Sequence, residues 1–295
     1  MLFTFLHNVK RIFYSAPQHL HPERAHVPLI PCYHMSFHEG MSYSYDCETH
    51  APVRGFLCSK TSNHVIYNPS TGEYITFPRM RTKKSEIKTY FGYDHIDKLF
   101  KVLCLPTLYM AEDFASLVST LGMGKVSWRM VECLIPHRPL STETCIDGVL
   151  YYLAVCIGNT NPIHVMVVCF DFRSETFKFL DVEHKFYCST LINCKGKLGV
   201  LWPKHIGLGE HTKSLELWVL EDADELKWSK IVYTLPFSLK HIAPTYVDIV
   251  GMTSGGEIVL STSNLNDPFY IFYYSVVLDT LNFNNSQVDS CEQSI

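Results

Sequence analysis

The chain has 295 residues, and 47% of them are hydrophobic, so it can bury a large core and is not disordered along its whole length. Lys and Arg total 25 against 29 Asp and Glu, which gives a net charge of −4 and none of the basic excess typical of duplex-binding and membrane-surface proteins. We therefore expect neither nucleic acid nor a membrane as a partner, and no apolar run approaches the roughly 18 residues that a transmembrane helix needs.

The 11 cysteines are scattered along the chain without a CxxC pair, and several lie inside apolar runs. In a reducing compartment such residues behave as small buried hydrophobic side chains. The N-terminal apolar run is shorter than the hydrophobic region of a signal peptide. These features predict an intracellular protein, in the cytoplasm, the nucleus or both.

Short β-rich runs separated by turn residues recur along the chain, whereas the best helical candidate, residues 111–121, is short and contains few periodic positions. Asn, Asp, Ser and Gly mark the turns because they hydrogen-bond to their own backbone or tolerate left-handed geometry. Four hairpins are predicted on this basis, over residues 67–78, 91–105, 169–180 and 217–233.

The predicted turns are evenly spaced. Turns begin at Asn68, Thr120, Asp171, Asp222 and near Ser275, at intervals of 51 to 53 residues. A second series of segments, each a turn followed by an apolar strand, lies ahead of the first series in each repeat. Its members are 52–58, 145–155, 192–201 and 251–261, and 98–105, which has no Gly, takes the place between the first two. A four-stranded unit repeated about every 50 residues is typical of a propeller blade.

The spacing predicts an all-β propeller of five to six four-stranded blades, with a pair of β-sandwiches as the alternative. Five blades fall between residues 52 and 285, and the N-terminal runs LFTF and RIFYS predict part of a sixth. Whether C-terminal strands complete that sixth blade or leave the ring incompletely closed stays open. Residues 1–285 are predicted to form the domain, with a linker over 19–32 and a disordered polar tail over 286–295.

No motif for chemistry emerges from the sequence. His34 and His38 are four residues apart, but no HExxH motif accompanies them, and no Cys/His quartet has zinc-finger spacing. Phosphate-loop, dinucleotide and nucleophile-elbow patterns are also incomplete. We therefore expect no catalytic residue, no metal and no cofactor. The predicted inner strands, GVLYYLAV, KLGVLW and GEIVLS, contribute mainly aliphatic side chains.

The four tryptophans separate into two groups. Trp128, Trp218 and Trp228 lie within strand patterns and are predicted to pack between blades. Trp202 is predicted to begin a loop, residues 202–213, that also contains His205 and His211. Because loop aromatics often anchor protein interfaces, these three residues are the predicted partner-binding candidates. Residues 106–113 and 158–164 form the other candidate binding loops.

Several long motifs occur in one order along the chain. They include NPSTGEYITFPRMRTKKSEIKTYFGYDHIDKLFKVLCL (68–105), GKVSWRMVECLIPH (124–137), MVVCFDFRSETFKFL (166–180) and LELWVLEDADELKWSKIVYTLP (215–236). Together they resemble the plant F-box-associated interaction domain of type 3. The resemblance implies a kelch-like propeller that captures the protein target of a Skp–cullin–F-box ubiquitin ligase.

The chain differs from the family pattern at both ends. No F-box segment is recognised before residue 2, so direct binding of the Skp adaptor is not expected, and the sequence departs from the family after Tyr274. The first hypothesis is a protein-binding, non-enzymatic recognition module whose target is unknown. The alternatives are a degenerate or truncated paralogue without a ligase role, and a small-molecule-binding or enzymatic propeller.

Overall fold

The computed structural model describes residues 2–7, 10–15, 30–36, 53–60, 64–68, 71–77, 87–106, 116–121, 127–157, 163–203, 214–234, 247–262, 269–275 and 280–286. Apart from one 3-10 helix, His184–Cys188, every regular element within these ranges is a β-strand, which confirms the predicted all-β class. The strands in chain order are β1 (Leu2–His7), β2 (Lys10–Ser15), β3 (Ile30–Ser36), β4 (Leu57–Lys60), β5 (His64–Tyr67), β6 (Tyr74–Thr76), β7 (Ile87–Asp94), β8 (Leu99–Pro106), β9 (Ser116–Thr120), β10 (Trp128–Val131), β11 (His137–Ile146), β12 (Val149–Cys156), β13 (Val165–Asp171), β14 (Thr176–Asp181), β15 (Thr190–Cys194), β16 (Lys197–Pro203), β17 (Ser214–Asp222), β18 (Lys227–Thr234), β19 (Val247–Met252), β20 (Ile258–Thr262), β21 (Phe269–Ser275) and β22 (Thr280–Ser286).

Consecutive strands pair antiparallel in sheets that repeat along the chain. The described strands form two three-stranded sheets, β1-β2-β3 and β4-β5-β6, and four four-stranded sheets, β7–β10, β11–β14, β15–β18 and β19–β22. The five sheets that follow residue 53 correspond to the five predicted repeats. The N-terminal runs form a separate sheet, and β22 pairs only with β21 among the described strands, so these strands do not close a ring through hydrogen bonds.

An aspartate side chain caps three of the four predicted hairpin turns. The Asp94 carboxylate accepts hydrogen bonds from the backbone amides of Ile96 and Asp97 at 2.9 and 3.1 Å. Asp171 and Asp222 cap the amides two and three residues ahead of them in the same way, at 2.7 to 2.9 Å. The last residue of each turn is left-handed, as in four-residue hairpin loops, at Lys98, Glu175 and Leu226.

Two compact units divide the chain, and each has its own core. The 38–187 unit, which comprises residues 38–187 and 222–226, contains the sheets from β4 to β14. Its largest cluster includes Tyr90, Leu103, Tyr152 and Phe170, all at most 1% exposed. The rings of Tyr90 and Tyr152 stack with centroids 4.7 Å apart. Apolar side chains from β7 and β8 therefore pack directly against those of β12 and β13.

The terminal unit comprises residues 1–37, 188–221 and 227–295. Its core cluster joins strands β15 to β17 to strands β19 to β21, through side chains such as Leu201, Leu217, Leu260 and Phe272, which are at most 2% exposed. The Tyr274 hydroxyl also donates a hydrogen bond to the Thr234 carbonyl oxygen at 3.1 Å. The sheets β15–β18 and β19–β22 are thus held together mainly by aliphatic contacts.

Residues 116–120 form strand β9, where Leu and Val pair with β8, so the weak helical candidate over 111–121 does not extend through them. Two details of the sequence interpretation were wrong. Strand β3 begins at Ile30, inside the predicted linker. The strands predicted to be the innermost of their sheets correspond to β12, β16 and β20. An innermost strand is an edge strand, whereas each of these three pairs with a strand on both sides. The edge strands next to them are β11, β15 and β19.

Candidate functional site

The predicted partner-binding loop begins later than expected. Trp202 lies inside β16, half-buried and opposite Glu216 of β17, because the apolar run continues through Pro203. The prediction that Trp202 begins a loop is therefore wrong. His205 and His211 lie outside the described residues, as does most of the loops predicted over 106–113 and 158–164.

The other three tryptophans lie within strands, as predicted. The Trp128 ring lies 5.8 Å from the Phe77 ring, between the end of β6 and β10. Trp218 donates its indole hydrogen to Glu216 at 3.0 Å, and the Lys230 ammonium lies 5.0 Å from the centre of its ring. These contacts place Trp128 and Trp218 in the packing of their strands.

A groove forms where the first turns of three successive sheets come together in the 38–187 unit. The turns are residues 53–56 before β4, residues 95–98 between β7 and β8, and residues 147–148 between β11 and β12. They surround a cavity of about 250 Å³ that is open to solvent, here called the turn groove. The Arg, His, Glu and Asp side chains that line it are those of Arg54, His95, Glu143 and Asp147.

Apolar and aromatic groups complete the lining of the turn groove. Phe91 and Leu150 are buried and contribute to it from β7 and β12, and Tyr93 is half-buried. The Arg54 guanidinium lies 4.6 Å from the centre of the Tyr93 ring, in cation–π distance. Arg54 and Asp147 are both exposed, so their charged groups are accessible to a partner. The groove thus combines an apolar wall with charges at its rim.

Gly148 holds the turns of the groove close together. It has a left-handed φ of +84°, and a Cβ added there would lie 3.0 Å from the Nδ1 atom of His95 and 3.4 Å from the Tyr93 carbonyl oxygen. The Cys145 thiol is hydrogen-bonded to the backbone of Tyr93 and Gly148. The Phe172 amide donates to the Gly148 carbonyl at 3.0 Å. Gly148 thus joins the turn between β11 and β12 to strand β7 and to the turn after β13.

A buried charge cluster supports the same end of these sheets. The Lys101 ammonium donates to the Phe172 carbonyl oxygen at 2.5 Å and to Glu175 at 2.8 Å, and Arg129 donates to the other Glu175 oxygen at 3.0 Å. Burial alone would raise the pKa of Glu175, but these hydrogen bonds lower it overall. The Glu175 carboxylate stays ionised and ties β8 and β10 to the turn after β13.

Cys133 and His137 lie close together and suggest a nucleophile with its base, but their hydrogen bonds exclude that role. Nδ1 of His137 lies 2.8 Å from the Ile135 carbonyl oxygen, which can only accept, so Nδ1 carries the proton. Nε2 then accepts from the Tyr152 hydroxyl at 2.7 Å. Burial lowers the pKa of His137 and raises that of the Cys133 thiol. Cys133 is therefore a neutral thiol beside an imidazole with no free acceptor nitrogen.

No group of three or more His, Cys, Asp or Glu side chains in the part of the chain that the structure describes is placed to hold a metal ion. No helix within the described ranges is long and apolar enough to cross a membrane. His34 lies in strand β3, and His38 is outside the described residues.

The sequence predicts the turns that line the groove, but it does not predict that these turns lie around one cavity. The segments 52–58 and 145–155 are predicted as turns followed by apolar strands, and the predicted hairpin over 91–105 turns at residues 94–97. Arg54, His95 and Asp147 were not selected as site residues, because charged residues are expected in any exposed turn. Only the packing of three sheets places them around one cavity.

Comparison with known proteins supports one family. A profile of the F-box associated beta propeller domain matches residues 1–289. The F-box protein At3g47030 of Arabidopsis thaliana is 46% identical over 294 residues, which cover 94% of this chain and 69% of that protein. The E3 ubiquitin-protein ligase SGIP1 of Arabidopsis thaliana is 46% identical over 255 residues, which cover 85% of this chain and 66% of that protein.

Among solved structures, a luciferin-regenerating enzyme superposes with a TM-score of 0.47 at 13% sequence identity, covering 81% of this chain and 75% of that one. A likeness at this level carries no inference about function. The family profile and the repeated four-stranded antiparallel sheets confirm the predicted propeller class and the predicted resemblance. The chain belongs to the F-box associated beta propeller domain family.

Proposed function

We propose that this chain is a target-recognition domain of an F-box type ubiquitin ligase, and that it binds its protein target through the turn groove. The family and the printed names of its relatives support the ligase context. The site is assigned because three successive turns meet around an open groove that Arg54, His95, Glu143 and Asp147 line. Exposed turns on a rigid sheet scaffold are a common place for protein recognition.

Binding fits the described residues better than catalysis does. A nucleophile needs a lowered pKa or an adjacent base, whereas burial raises the pKa of Cys133, Cys145 and Cys169. The imidazole next to Cys133 already uses both of its nitrogens. We therefore propose a non-enzymatic domain, with any transfer of ubiquitin performed by other components of the ligase.

The size of the turn groove also favours a macromolecular partner. Its volume of about 250 Å³ lies below the range of about 300–1,000 Å³ that is usual for small-molecule pockets. A groove of this size holds one or two side chains of a larger partner, with the surrounding turns supplying further contacts. We expect the residues present to contact the target and not the Skp adaptor, and we expect this to take place inside the cell.

Capture from plant extract tests the proposal. The immobilised chain is compared with a variant carrying Arg54→Ala, His95→Ala and Asp147→Ala, and bound proteins are quantified by mass spectrometry. A matched control carries Asp224→Asn and Glu225→Gln in the exposed turn after β17. We expect at least one protein to be retained by the parent and the control and to fall about fivefold or more with the groove variant.

Three other outcomes would contradict parts of the proposal. Captured proteins that are retained equally by the groove variant would place the interface elsewhere and remove the turn groove as the site. A folded parent chain that retains no specific protein would favour the degenerate-paralogue alternative. Direct retention of the Skp adaptor by the purified chain would contradict the expectation that the residues present contact only the target.

A further inference from the structure

We infer that the turn groove accepts a lysine or arginine side chain of the protein target, which displaces Arg54 from the face of Tyr93. This inference rests on the proposed function and names the chemistry of the same site. It follows from three features of the groove: its charge balance, the contact between Arg54 and Tyr93, and the apolar wall below them.

The charge balance of the groove favours a cation. Two carboxylates, Glu143 and Asp147, line it against one guanidinium, that of Arg54. Asp147 lies in the turn between β11 and β12, where its left-handed φ of 47° presents an exposed side chain at the rim. Once Arg54 has moved away from the Tyr93 ring, an incoming acidic side chain would approach two like charges, which is unfavourable, whereas an incoming cation would be attracted to both carboxylates.

The contact between Arg54 and Tyr93 shows that the ring face is suited to a cation. The guanidinium lies 4.6 Å from the ring centre, well within the distance of about 6 Å that defines such contacts. Because Arg54 is exposed and belongs to a short turn, moving it away from the ring disturbs no buried packing. Arg54 thus occupies, from within the chain, the position that we assign to the target's cation.

The apolar wall suits the long stem of a lysine or arginine. Such side chains bury their methylene groups along apolar surface while the charged head stays near water or a carboxylate. In the groove, the half-buried Tyr93 ring supplies most of the accessible apolar surface, and the buried Phe91 and Leu150 add little to it. Glu143 and Asp147 line the same cavity. A short acidic side chain has no comparable stem to place against this wall.

A positional-scanning peptide library tests the inference with the purified chain. In each pool one position is fixed as Lys, Arg, norleucine, Asp or Glu, and retention is measured by fluorescence at low and moderate salt. We expect pools with a fixed Lys or Arg to be retained about fivefold more than norleucine pools, with the difference decreasing as salt increases. Asp147→Asn should reduce this ratio to below about twofold.

Three further variants sharpen the test. Glu143→Gln combined with Asp147→Asn should abolish the cation preference, while Asp224→Asn with Glu225→Gln, which removes the same charge elsewhere, should keep it. Arg54→Met removes the competing guanidinium and should increase retention of the Lys and Arg pools. Thermal unfolding of each variant checks the fold, and Asp147→Asn is the safest because that side chain is exposed and Asn tolerates left-handed φ.

The outcomes separate this inference from the proposed function. Retention without charge preference, a preference for Asp or Glu, or no retention of any pool overturns the cation assignment. None of these results changes the outcome of the extract experiment, which asks only whether a captured protein depends on the turns. A captured protein that depends on the groove, together with an acidic preference in the library, would keep the proposed function and reject the inference.

Discussion

Gly92 on β7 is the position where a single added carbon should damage the fold most clearly. A Cβ built on Gly92 would lie 1.8, 2.3 and 2.4 Å from the Cε2, Cδ2 and Cζ atoms of Phe172. Ordinary contacts between carbons are no shorter than about 3.5 Å, so the ring would have to retreat by more than 1 Å. Phe172 has no exposed surface, and its ring packs edge-on against Phe170 at 5.2 Å. The ring therefore has no empty space to enter.

We expect Gly92→Ala to lower the free energy of unfolding by about 2–3 kcal/mol, the usual cost of overpacking a well-filled core. Phe172→Ala alone should cost about 3–5 kcal/mol because it opens a cavity. In the double variant the new methyl group meets no ring, so the combined loss should be smaller than the sum by at least about 1 kcal/mol. Urea unfolding followed by tryptophan fluorescence measures all four proteins, with the slope of the transition checked for constancy.

Gly55→Ala provides the matched control for this cycle. Gly55 has a φ of +81° and no atom within 4 Å of an added Cβ, so its substitution strains the backbone without a clash. We expect a loss of about 1–2 kcal/mol and no coupling to Phe172→Ala. The reasoning would be refuted if Gly92→Ala cost less than about 0.5 kcal/mol, or if its effect simply added to that of Phe172→Ala.

Three further predictions concern the site and its support. Gly148→Ala should lower the free energy of unfolding by about 1–2 kcal/mol and also weaken target capture, because the new Cβ lies too close to His95. A folded Gly148→Ala variant that captures the target as well as the parent would contradict the proposed role of this turn in binding. Lys101→Met should lower the free energy of unfolding by about 2 kcal/mol or more, since Glu175 and the Phe172 carbonyl oxygen lose their buried donor. An unchanged midpoint of urea unfolding would contradict a stabilising role for this charge cluster. Burial lowers the pKa of His137 in the folded state, so the unfolded chain binds more protons below about pH 6.5, and stability falls as the pH decreases. His137→Gln should remove part of that fall between pH 7.5 and 5.5, and parallel pH profiles of the two proteins would disprove the assignment.

Local sequence chemistry determined the strands and their turns. Asp94, Asp171 and Asp222 each cap a hairpin through bonds to amides two and three residues away, so the information lies within a few neighbouring residues. The interval of about 50 residues between corresponding turns, such as those at Asp171 and Asp222, predicted the repeated meander sheets. These features do not depend on how the sheets pack on one another, so they could be derived from the sequence alone.

The candidate site was decided by tertiary structure. Arg54, His95 and Asp147 come from three turns separated by about 40 to 50 residues, and no local pattern shows that they meet around one cavity. Their meeting depends on long-range packing of one sheet on the next, as in the contact of Tyr90 with Tyr152. The same reason explains why Trp202 was misplaced: a strand's end is set by its pairing partner, and β17 holds that residue in the sheet. Sequence therefore determined which residues stand in turns, while packing between sheets determined which turns form a site.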